Sequence, residues 1–193
     1  KTQIVVLDKT GTITNGKPEV VEIIPSENYS ADEVLLYAYS LESKSEHPLA
    51  KAISSLAEEK HIKALESDDF KVLPGNGLAA KIESNDFYGG SRKFIEKKVS
   101  IADEILEKSN KLSDEGCTPL FFARNNELLG IIAVADTLKE DSSDAIISLK
   151  NMGIQVVMLT GDNIRTAKAI GDKAGVDNVI AGVLPSGKES VIR

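Results

Sequence analysis

The sequence predicts an α/β protein: a parallel sheet covered by helices, interrupted after its first strand by a long α+β insertion. Three observations carry this. Residues 4–7 and 154–159 are short apolar runs rich in β-branched side chains, the texture of strands buried on both faces. In the C-terminal third such runs alternate with helical patterns, as strand–helix–strand units do. The block 17–129 has another texture and is far too long to be a loop.

The outer unit is expected at 1–16 and 130–193. Its strand 4–7 runs into a glycine-containing loop over 8–16. A second apolar run at 129–135 is read as returning to the same sheet. A helix around 144–152, the strand 154–159, a helix over about 163–174 and a short apolar stretch at 179–180 follow. In the block 17–129, Ser30-Ala31-Asp32-Glu33 is a capping box that opens a helix to about residue 41. Pro48 suits a first helical position, in a helix reaching about residue 59. Strands are expected at 70–73, 78–82, 87–88 and 119–123, with a helix over 102–112. Asn85-Asp86 and Asn125-Asn126 are turn signals between them. No repeat or low-complexity tract is apparent.

Composition bounds the function. The net charge of −7 argues against nucleic acid or an anionic membrane surface as the main partner. The lone Cys117 leaves no disulfide framework and suggests a reducing compartment. No apolar run approaches the ~18 residues of a membrane span. The chain starts without Met and shows no signal peptide, so it reads as a piece of something larger.

Chemistry concentrates where strands end. Asp8-Lys9-Thr10-Gly11-Thr12 follows the first strand directly, and Thr160-Gly161-Asp162 follows the strand 154–159. In parallel sheets, reacting groups gather at the carboxyl ends of strands. Gly161 precedes a helix, so its N–H is expected to point at an anion. A carboxylate facing such a nest would repel a merely bound phosphate. The arrangement makes sense with Mg²⁺ between them, or with Asp8 attacking the phosphorus. The simpler readings stay open: Asp8 as a loop cap, Thr12 and Thr14 as turn hydroxyls, Asp162 as a helix cap. Likewise His47 in Ser45-Glu46-His47-Pro48 reads alone as a surface residue. Gly75-Asn76-Gly77 and Gly89-Gly90 read alone as turns.

Together these motifs resemble P-type ATPases, whose phosphorylation signature looks like DKTGT at 8–12 and whose second motif looks like TGDN at 160–163. The resemblance spans essentially the whole chain. It implies a haloacid-dehalogenase-like fold with an inserted α+β nucleotide-binding domain, and Asp8 as the residue that takes a phosphoryl group from ATP. It further implies a phosphate-contacting Lys188, and Asp136 and Lys139 near the nucleotide and the domain hinge. Thr160 and Lys188 would stabilise the transferring oxygens, with Thr10, Gly161 and Asp162 around the phosphate. Mg²⁺ would be held by Asp8 and Thr10. The SEHP and G-x-G motifs are similar to the nucleotide-binding domain of the heavy-metal-transporting branch, most like copper(I) exporters. By that resemblance Glu46 and His47 contact adenine, and Gly75, Gly77, Gly89 and Gly90 let the backbone approach ATP. A haloacid-dehalogenase-type phosphatase and a zinc or cadmium pump are the alternatives. Such phosphatases carry Asp two places after the nucleophile as a general acid/base; Thr10 stands there instead.

The resemblance places the chain at the cytoplasmic face of a membrane. Its expected partners are ATP, the transmembrane and actuator domains of its own pump, and a metallochaperone, with no nucleic acid. The family's GDGxND motif, which supplies a Mg²⁺-binding Asp, is absent before Arg193. An incomplete Mg²⁺ site, a missing last strand and poor phosphorylation of the chain as cut are therefore expected.

Overall fold

In chain order the elements are β1 (Ile4–Asp8), β2 (Glu19–Pro25), α1 (Ala31–Glu42), α2 (Pro48–Glu59), β3 (Asp68–Leu73), β4 (Gly77–Ile82), β5 (Asn85–Gly90) and α3 (Arg92–Ile95). There follow α4 (Asp103–Asp114), β6 (Thr118–Arg124), β7 (Glu127–Ala135), α5 (Ser142–Asn151), β8 (Gln155–Leu159), α6 (Ile164–Ala174) and β9 (Asn178–Ile180). This is a computed structural model, which describes residues 3–188. The chain divides into two compact units. One comprises the residues up to Lys17, Lys111–Thr118, and those from Asp136 onward; the other comprises Pro18–Asn110 and Pro119–Ala135.

The first unit is built on a parallel sheet of order β1-β8-β9. Register pairs Asp8 with Leu159, so the loops carrying Asp8 and Thr160 leave the same end of the sheet side by side. Helix α6 presents Ala167, Ile170 and Ala174 at helical spacing, and they join Ile146, Val156 and Met158 in the core. Asn163, not Gly161 or Asp162, caps α6: its side chain accepts from the Thr166 N–H at 3.0 Å. The first turn is satisfied by the Asn163 side chain, and Gly161 lies two residues upstream of it.

The second unit is a six-stranded antiparallel sheet of order β2-β7-β6-β5-β4-β3 with α1 and α2 on it. The capping box at Ser30 is formed in both directions, and Val34, Leu35, Ala38 and Leu41 bury one face of α1. Hairpin β4–β5 turns at Glu83-Ser84 (φ 49° and 64°) rather than at Asn85-Asp86. Asn85 instead opens β5, and its amide donates to the Glu83 carbonyl at 3.0 Å.

The run at 129–135 does not join the parallel sheet. It is β7, an interior strand of the antiparallel sheet, paired with β2. A strand buried on both faces has the same continuous apolar texture in either kind of sheet, so the run alone does not distinguish them. Strand β2 carries a register shift between Val20 and Glu22, which breaks its alternation.

Candidate active site

The loop after β1 is anchored on its inner side. Gly11 has φ 76° and Thr10 an extended backbone, so Lys9–Ile13 is a turn rather than a regular helix. Ile13 and Thr14 are buried; Thr10, Gly11 and Thr12 are exposed. Asp136 clasps the loop's far end. Its carboxylate accepts from Thr14 Oγ1 at 2.6 Å and from the Gly16 and Lys17 N–H groups at 3.0 and 3.2 Å. The Lys139 N–H donates to the Ile13 carbonyl at 3.0 Å. Asp136 and Lys139, read from sequence as hinge and nucleotide residues, thus brace the segment that carries Asp8.

Asp8 itself is partly exposed and meets Lys188. The ammonium donates to both carboxylate oxygens, at 2.7 and 2.8 Å. Beside it runs a more enclosed ion pair, with Lys9 Nζ 2.6 Å from Asp162 Oδ2 and both side chains 10% exposed. The Asp162 N–H donates to Thr160 Oγ1 at 3.1 Å, and that hydroxyl is buried. Three of the residues singled out from sequence, Thr160, Gly161 and Asp162, therefore form one short loop. A Cβ at exposed Gly161 would stand 3.3 Å from the Val183 carbonyl.

In the second unit the motif residues form two groups. His47 is the N-cap of α2, with its Nδ1 accepting the Leu49 N–H at 3.2 Å. In the neutral ring this places the proton on Nε2, making that atom a donor. Glu46 beside it is exposed. The glycines gather on the β3–β4–β5 hairpins instead. Gly77 and Gly90 are cross-strand partners, and a Cβ on Gly77 would lie 2.0 Å from the Gly89 carbonyl oxygen. A Cβ on Gly89 would meet Phe122 and Leu41 at 2.8 and 2.9 Å.

Comparison with known proteins fits this geometry. The haloacid dehalogenase-like hydrolase family matches residues 2–193. The chain belongs to that family. The copper-exporting P-type ATPase of Staphylococcus epidermidis is 44% identical over 185 residues, covering 95% of this chain and 23% of that protein. The chain spans less than a quarter of the length of such curated relatives. Among solved structures, the catalytic domain of the CPx-ATPase CopB-B, studied for its changes upon nucleotide binding, superposes with a TM-score of 0.75. It is 26% identical, with 100% of this chain and 66% of that one covered. A zinc-transporting PIB-type ATPase in an E2.Pi state is 34% identical with a TM-score of 0.65, covering 100% of this chain and 31% of that one.

For a member of the haloacid dehalogenase-like hydrolases, two further points matter. Among the described residues no group of three or more His, Cys, Asp or Glu is arranged to hold a metal ion. The atoms that Asp8 and Thr10 offer are all oxygen, the donor type Mg²⁺ takes, but they fall short of octahedral coordination. The second point is Glu42, which the sequence reading passed over. It ends α1, is buried, and has its pKa raised from 4.5 to about 7, chiefly by burial and against a Ser45 hydrogen bond that lowers it. Its only signal in the sequence is a Glu placed where α1 turns toward the SEHP segment. No helix among the described residues is long and apolar enough to cross a membrane.

Proposed function

We propose that this chain is the ATP-binding and phosphorylation part of a heavy-metal cation pump, most like the copper exporters, and that Asp8 is its phosphoryl acceptor. The observation that carries the reading is the Asp8 carboxylate at the carboxyl end of β1 with Lys188 on both its oxygens. An Asp8 oxygen attacks the γ-phosphorus of ATP, the bond from that phosphorus to the β,γ-bridging oxygen breaks, and ADP leaves with that oxygen. An acyl phosphate remains on Asp8. Lys188 then follows the charge from the carboxylate to the transferring oxygens, and Thr160 offers its buried hydroxyl beside them. Gly161 and Asp162 complete the phosphate side, with Lys9 holding Asp162 in place. Mg²⁺, held by Asp8 and Thr10, would neutralise part of the charge that builds between carboxylate and phosphate.

Thr10 favours the pump reading over a phosphatase. It cannot shuttle protons as an Asp would, so the acyl phosphate persists. ATP binds on the second unit, with Glu46 and the Nε2 donor of His47 offered to a purine edge, and Gly75, Gly77, Gly89 and Gly90 as the glycines by which the backbone would approach it. In the intact pump the cycle would act on transmembrane and actuator domains at the cytoplasmic face of a membrane, with a metallochaperone as a candidate donor of the ion. A zinc pump is the second reading, favoured by the 34% identity to the zinc-transporting ATPase.

The test is acid-stable, hydroxylamine-labile label from [γ-³²P]ATP with Mg²⁺, compared with Asp8→Asn. Label confined to the Asp8 protein supports the reading. Label persisting on Asp8→Asn overturns the assignment, and steady phosphate release without label points to a phosphatase.

A further inference from the structure

We propose that Thr118 is a positioning residue for phosphoryl transfer, an inference that rests on the reading of Asp8 as the acceptor. The Asp162 carboxylate is nearly enclosed and has two side-chain donors: Lys9 Nζ on Oδ2 at 2.6 Å and Thr118 Oγ1 on Oδ1 at 3.1 Å. An enclosed ion pair holds a defined geometry only when its remaining lone pairs are satisfied. Thr118 supplies that second donor. Without it the carboxylate can rotate about the single contact to Lys9.

Rotation there reaches the reacting group by two short routes. Lys9 follows Asp8 directly in the chain, so the ion pair fixes the backbone next to the acceptor. Asp162 also donates its N–H to Thr160 Oγ1 and accepts from the Gly182 N–H at 2.9 Å, so it shapes the loop that presents Thr160. Thr118 is itself held firmly. It ends the segment Lys111–Thr118, which lies along α6. Thr166 Oγ1 donates to the Cys117 carbonyl at 2.7 Å, Arg165 Nη1 reaches both Asp114 oxygens at 3.0 Å, and Lys173 Nζ reaches the Glu115 carbonyl at 2.8 Å. The hydroxyl therefore meets Asp162 from a pegged backbone.

The competing possibility is a strand threonine whose hydroxyl contact is incidental. Val, with the same shape and a comparable strand preference, separates the two. On the full chain, Thr118→Val should slow phosphoenzyme formation at saturating ATP about tenfold, the scale of one hydrogen bond to a charged group. ATP affinity, measured separately by calorimetry, should not change, and Thr118→Ser should restore the rate. Labelling of Thr118→Val at the wild-type rate overturns the proposal, as does a Thr118→Ser protein as slow as Thr118→Val. If the wild-type chain shows no Asp8-dependent label, a second measurement decides the positioning by itself. The ¹⁵N ammonium resonance of Lys9, visible while Asp162 holds it, should broaden or vanish in Thr118→Val. An unchanged resonance overturns the positioning.

Discussion

Lys188 Nζ lies between the two carboxylate oxygens of Asp8, at 2.7 and 2.8 Å, with the side chains 31% and 43% exposed. A pair this open to water contributes little to stability. Its geometry suits phosphoryl transfer better: an ammonium already centred on the carboxylate needs only a small shift to meet phosphoryl oxygens. Lys188→Met should therefore leave the melting temperature nearly unchanged while slowing phosphoenzyme formation about a hundredfold or more. Equal losses of stability and labelling would instead make Lys188 a structural residue.

Glu42 should give the protein a pH-dependent stability. Burial disfavours its charged form and raises its pKa from 4.5 to about 7. The folded state then holds the proton more tightly than the unfolded chain. This contribution is full below the unfolded value, declines as pH rises between 4.5 and about 7, and is gone above that. Glu42→Gln removes the titration. At pH 8 the variant should exceed the wild type in unfolding free energy by roughly 3 kcal/mol, and the two should converge toward pH 5. Denaturant titrations across that range would show it, and parallel curves for the two proteins would exclude it.

Asp136 offers a different test, of the brace behind the acceptor loop. Its carboxylate satisfies the Thr14 hydroxyl and the Gly16 and Lys17 N–H groups together. Asp136→Ala should cost about 2–4 kcal/mol, since several donors lose a charged acceptor at once. Amide hydrogen exchange at Gly16 and Lys17 should accelerate in the variant, and unchanged protection there would mean that the brace is dispensable.

The placement of Asp8 and Thr160 at strand ends was legible because it rests on local sequence: a β-branched run followed at once by Asp8, and another followed by Thr160. The capped helices were legible for the same reason, with Ser30 and Pro48 each marking a start within one turn. What stayed hidden depended on partners distant in sequence. Nothing in the run at 129–135 says that β2 and β6 flank it, because burial on both faces erases the alternation that marks an antiparallel strand. The segment Lys111–Thr118 reads as the end of a helix and the start of a strand, and its hydrogen bonds to α6 belong to no local pattern. At the site, the Asp8–Thr160 neighbourhood followed from the sheet. Glu42 did not, because a carboxyl's burial is a property of the packed unit rather than of its neighbours in sequence.

Gly77 and Gly90 separate close strand approach from ligand approach. A Cβ on Gly77 would sit 2.0 Å from the Gly89 carbonyl and 2.9 Å from the Gly90 Cα, both backbone atoms that cannot swing away. Gly77→Ala should thus open the β4–β5 pairing even without nucleotide, destabilising the unit by about 3 kcal/mol or more. Hydrogen exchange without ATP is the measurement, and an intact hairpin in Gly77→Ala would leave ligand approach as the glycine's reason.

His47 carries one observed role and one proposed role, which a single substitution can divide. As N-cap of α2 it accepts the Leu49 N–H through Nδ1, and as a proposed nucleotide residue it presents Nε2. Asn is a better N-cap than His, because its short side-chain oxygen reaches the same N–H groups, but it has no ring to place against a purine. His47→Asn should therefore keep or slightly raise thermal stability while weakening ATP binding about tenfold, the scale of one lost polar contact. His47→Ala should lose both, with a stability cost of about 0.5–2 kcal/mol from the missing cap. Calorimetric titration with ATP and thermal melting on the same samples give the two quantities separately. If His47→Asn binds ATP as the wild type does while His47→Ala melts earlier, the ring acts only as a helix cap, and Glu46 is left as the polar side chain proposed for the nucleotide.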